Sequence, residues 1–114
     1  MNHRYFEQFA QMIEALPARA IFRAVEMERR MLEDDVSNKW ITLTSEESSV
    51  LDFCHFLEAI RLGTDIAPRT LRAEQAEFYH NIVERLVEAE ELPSDARERF
   101  DAMFSSGFFR TLAT

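Results

Sequence analysis

The sequence predicts an all-α protein, an antiparallel bundle of four to five helices with short loops. Three observations carry that expectation. Apolar residues recur at three- and four-residue intervals along the whole chain, the period of an amphipathic helix. No segment reads as a strand. Glycine and proline number only two and three in 114 residues, against average usage of about 7% and 5%, which excludes a turn-rich β-sandwich, a collagen-like repeat and a low-complexity linker. At 46% hydrophobic residues with ten phenylalanines, a chain of this length buries about two-thirds of its unfolded surface, enough for one helical-bundle domain over residues 1–114 with its own core.

The first helix is expected over about residues 3–16. Asn2 supplies an N-cap, Phe6, Phe9, Met12, Ile13 and Leu16 form the stripe, and Pro17 stops it. Pro17 also suits the first turn of a second helix, over 18–34, with Ile21, Phe22, Val25 and Leu32 on its apolar side. Asp34 and Asp35 oppose the helix dipole at a C-terminus, so the helix is ended there, and residues 36–43 are read as an extended connection. A third helix over 45–62 opens with a capping box, Thr44 with Glu47 three residues on, and stops at Gly63 as its left-handed C′ residue. Pro68 opens a fourth helix, 68–91, with the stripe Leu71, Phe78, Tyr79, Ile82, Val83, Leu86 and Val87; Glu88, Glu90 and Glu91 close it before Pro93. A fifth helix over 95–106 carries Ala96, Phe100, Met103 and Phe104 and stops at Gly107. The tail 108–114, with Phe108, Phe109 and Leu112, is too apolar to float in water and is expected to dock on this chain or on another. Every glycine and proline thus serves as a helix boundary, and none remains to shape an active-site loop.

Composition narrows the function classes. Gly63 and Gly107 alone cannot build a glycine-rich phosphate loop. The formal charge of −8, from 21 acidic against 13 basic residues, repels the phosphate charge that dominates nucleic-acid affinity and disfavours direct DNA or RNA binding. It also steers association toward basic proteins. Lys39 is the single lysine among those basic residues; the rest are arginines, suited to carboxylate pairing and interfaces. Cys54 is the one cysteine and cannot form an internal disulfide. With no secretory pattern and no run of 18 apolar residues, a cytoplasmic protein away from the membrane is expected.

Four constellations carry possible chemistry. Glu77 and His80 match the Glu-x-x-His spacing of di-metal bundles, with Glu84 one turn further and His55 and Glu58 on helix three in the reversed order. The second copy such bundles use is missing, so the competing reading is that these histidines and glutamates are solvated or hydrogen-bonded. Cys54 lies on an apolar face, and its neighbour His55 points about 100° away around the helix, so it reads as a core thiol rather than a nucleophile. Arg69, Thr70 and Arg72 in the first turn of helix four form a candidate anion site, with pairing to Asp65 or Glu74 as the plainer alternative. A helix-turn-helix would need a shorter turn and a less acidic second helix than residues 63–91 offer.

Helix three is the most informative element. Val50, Leu51, Phe53, Cys54, Phe56, Leu57, Ala59 and Ile60 leave Asp52, His55 and Glu58 as its one polar strip. A surface helix needs an apolar arc of only about 100°, so this helix is either central in its own fold or shared with another chain. The expected function is a non-catalytic protein–protein interaction or regulatory module, self-associating as a homodimer or binding a basic protein, without a cofactor. Its interface is assigned to Phe53, Phe56, Ile60, Phe108, Phe109 and Leu112. The alternative is a metal- or small-ligand-binding bundle using Glu77, His80, Glu84, His55 and Glu58.

Overall fold

The computed structural model describes residues 4–39, 42–64 and 73–105. Five helices follow in order: α1 (Arg4–Ala15), α2 (Ala18–Lys39), α3 (Ser45–Leu62), α4 (Ala73–Glu88) and α5 (Asp95–Ser105). No strand occurs among the described residues, and the protein is an all-α helical bundle as its periodicity requires. Two compact units, residues 1–56 and 57–114, divide the chain at a point inside α3.

In the first unit α1 packs against α2. Phe6, Phe9 and Ile13 form the buried stripe of α1, and Ile21, Val25 and Leu32 that of α2. From α3, Val50, Phe53, Cys54 and Phe56 are fully buried. The Phe9 and Phe53 rings meet edge to face, with centroids 5.9 Å apart and planes at 69°, the arrangement aromatic quadrupoles favour. In the second unit α4 packs against α5. Leu57 and Ile60, Phe78, Tyr79, Ile82, Val83 and Leu86, and Ala96 and Phe100 are buried there.

Local signals account for most helix ends. The Thr44 hydroxyl accepts from Glu47 N–H at 3.1 Å and the Glu47 carboxylate accepts from Thr44 N–H at 2.9 Å, a complete capping box. Ala20 N–H bonds the Pro17 carbonyl and Ala96 N–H the Pro93 carbonyl, so both prolines stand at helix starts. At the end of α3, Gly63 takes φ 79°, and Gly63 N–H and Thr64 N–H both donate to the Ala59 carbonyl, closing the helix through a left-handed C′ residue.

Two helix ends differ from expectation by more than a residue. Helix α2 continues to Lys39 instead of ending at residue 34, so residues 36–39 are helical and not extended. The dipole penalty of two surface carboxylates is a few tenths of a kcal/mol, less than the gain from adding hydrogen-bonded residues to a helix already nucleated. Helix α4 ends at Glu88, not residue 91. Glu91 N–H bonds the Leu86 carbonyl and Glu90 N–H the Val87 carbonyl, a Schellman turn in which Glu90, not a glycine, adopts φ 63°. The expected start of helix four at residue 68 and the tail 108–114 lie outside the described residues.

Candidate functional site

The apolar circumference of α3 is consumed by the protein itself. Phe53, Phe56 and Ile60, assigned above to an interface, have no exposed surface, and a side chain with no exposed surface cannot meet a partner while the fold is closed. Phe108, Phe109 and Leu112, the rest of that interface, lie outside the described residues, as do Arg69, Thr70 and Arg72 of the candidate anion site.

The polar strip of α3 is used structurally. His55 is exposed, and its Nε2 lies 2.9 Å from Glu33 Oε2 on α2; Arg29 Nη1 donates to the other oxygen of Glu33 at 2.9 Å. The His55 hydrogen bond, supported by the Arg29 charge, outweighs partial burial and holds the Glu33 carboxyl below its ordinary range. The second unit has a counterpart. Arg97 Nε on α5 donates to both oxygens of Glu84 on α4, at 2.9 and 2.8 Å, and His80 Nε2 stands 3.6 Å from Glu84. The His80 ring also lies against Phe100, with centroids 5.6 Å apart and planes tilted by 39°. Glu77 is exposed and Glu58 half-buried. Among the described residues, no three His, Cys, Asp or Glu side chains are gathered as a metal ion requires. Cys54 is a free thiol with no exposed surface.

Several functional-looking contacts have no local signature in the sequence. Glu46, in the first turn of α3, is buried, and its Oε1 accepts from Phe6 N–H at 3.1 Å, filling one of the open donors at the start of α1. Arg99 on α5 donates to the Ile60 carbonyl at 2.9 Å and to Thr64 O at 3.4 Å, covering the carbonyl end of α3. The Tyr5 hydroxyl donates to Glu28 on α2. Burial first, and then the Glu28 carboxylate, push that phenol well above its ordinary range.

The large apolar side chains exposed on the described surface are Met12, Met27, Met31, Val36 and Leu62, and two of them share the outer side of α2. Met27 and Met31 are 65% and 48% exposed, on the side turned away from Ile21, Val25 and Leu32. Arg19, Arg23, Arg30 and Asp34 are exposed on the same side. Arg30 pairs with Glu26 at 2.9 Å. Arg19, Arg23 and Asp34 have no ion-pair partner among the described residues. No helix among the described residues is long and apolar enough to cross a membrane. Comparison of the chain with protein-family models, curated proteins and solved structures finds no match.

Proposed function

We propose that this chain is a non-catalytic protein–protein interaction module of the cytoplasm that self-associates, and that its contact surface is the outer face of α2. The observation that carries the reading is the pair of exposed methionines, Met27 and Met31, one helical turn apart on a face that the core does not use. Methionine is flexible and polarizable, and an exposed pair of them suits an adaptable contact surface. The arginines beside them favour the same use, because guanidinium groups are enriched where proteins meet.

Of the residues that sequence spacing offered for chemistry, His55, His80 and Glu84 make side-chain contacts and Cys54 is buried. Glu33 bridges Arg29 and His55, Glu84 bridges Arg97 and His80, and Cys54 is sealed in the core. Those assignments support binding over catalysis. Sedimentation equilibrium over a concentration series tests the proposal: a mass that rises above the monomer value with concentration is expected, and a strict monomer up to about millimolar, where affinity falls to about −4 kcal/mol, overturns it.

A further inference from the structure

We infer that the partner at this surface is the α2 helix of a second copy, packed antiparallel about a two-fold axis that runs between the two helices, level with the midpoint of Met27 and Met31. The inference rests on the self-association proposed above and names its geometry. At about 100° and 1.5 Å per residue, Arg23, Met27, Met31 and Asp34 fall within an arc of about 80° on α2. Along the helix, Arg23 lies about 9 Å to one side of the axis and Asp34 about 7.5 Å to the other.

A two-fold axis perpendicular to both helices, lying in the plane between them, reverses axial order and keeps each flank of the face opposite the same flank of the copy. Met27 then meets Met31 of the copy, and Met31 meets Met27. Arg23 comes level with Asp34 of the copy to within about 1.5 Å along the helix, on the same flank. Both of these side chains are exposed, and neither has an ion-pair partner among the described residues. Glu26 and Arg30, already paired at 2.9 Å within one helix, extend the pattern, since Glu26 of one copy comes opposite Arg30 of the other. The face is therefore self-complementary in charge under this one operation, as an isologous contact requires. A parallel arrangement would set Arg23 against Arg23 and Asp34 against Asp34. One helix face buries less than a standard interface, so the dimer is a weak one, with a dissociation constant on the order of 10–100 µM.

The test uses two single variants of the full chain, Arg23→Glu and Asp34→Arg, studied apart and mixed one to one. Apart, each sets like charges against each other at both ends of the face, and dimerisation weakens by about tenfold or more. Mixed, the two variants match each other's charges at both ends, and a heterodimer of nearly the original strength forms. Both positions are exposed and outside the core, and unchanged circular dichroism and Tm show that the variants fold. Met27→Asp, also at an exposed site, abolishes the dimer without the charge argument. If the original chain dimerises but these variants dimerise equally well, the α2 pairing is overturned while self-association stands. If both single variants lose the dimer and the mixture does not regain it, the antiparallel geometry is overturned. If the original chain is monomeric throughout, both readings fall.

Discussion

Helices α2 and α3 invert what their compositions suggest. Helix α3 is rich in aromatic and aliphatic residues on nearly every side, yet from Val50 through Ile60 its side chains are buried, apart from half-buried Leu51, Asp52 and Glu58 and exposed His55. Helix α2 is the more polar of the two, buries one narrow stripe, and presents two methionines to water. Apolar content measures how much surface must be covered. It does not say which chain covers it. A helix with only a narrow polar strip is covered by the chain it belongs to, whereas a few apolar residues on an otherwise charged face have no such outlet.

The contrast is sharpest where stability is measured. Phe53→Ala on α3 removes a fully buried ring that meets Phe9 edge to face, and is expected to cost about 3–5 kcal/mol in urea unfolding. Met27→Ala on α2, at 65% exposure, should change stability by less than about 0.5 kcal/mol. Comparable losses from the two substitutions would erase the distinction between a consumed helix and an open one.

Helix ends provide a smaller effect. A methyl group at Gly63 would meet no atom within 4 Å, so Gly63→Ala is opposed by the left-handed backbone alone and should cost about 1 kcal/mol. Glu90 holds the same conformation at the end of α4 without being glycine, and Glu90→Gly should gain about 0.5–1 kcal/mol. A loss at Glu90 would mean that its side chain has a role the Schellman turn does not account for.

The smallest expected effect lies on the Glu33–His55 bridge between the two helices. Because the folded Glu33 carboxyl is held below its unfolded value of about 4.5, its contribution to stability is present above that value and is lost as pH falls through the lower folded one. The urea midpoint should therefore decline slightly in that acid window. Glu33→Gln should flatten the decline, and added salt should reduce it, since the pair is close to half exposed. An unchanged acid profile in the variant would show that the bridge contributes nothing.

Local chemistry was the legible part. The Thr44–Glu47 capping box and the Gly63 terminus depend on residues within a few positions of each other, and both form where spacing puts them. The polar strip of α3 was also readable, because periodicity alone defines it. The end of α2 was misread because the dipole rule at Asp34 and Asp35 is weaker than helix propagation. The end of α4 was misread because Glu90 takes a glycine's conformation. The burial of Phe53, Phe56 and Ile60 is not readable from spacing for another reason: it depends on residues distant in sequence, as where Phe53 meets Phe9. Glu46 with Phe6 and Arg99 with Ile60, 40 and 39 positions apart, leave no trace in any local window.

The Glu46 contact turns one backbone amide into a timing signal. The first turn of an isolated helix leaves its N–H groups to water, so α1 cannot satisfy the Phe6 N–H from within itself. In the folded protein that proton meets the Glu46 carboxylate at the start of α3. Its exchange with deuterated solvent is accordingly sensitive to the opening of α3 away from α1 as well as to the fraying of α1. A single resonance near the beginning of the chain reports on an event staged in its middle.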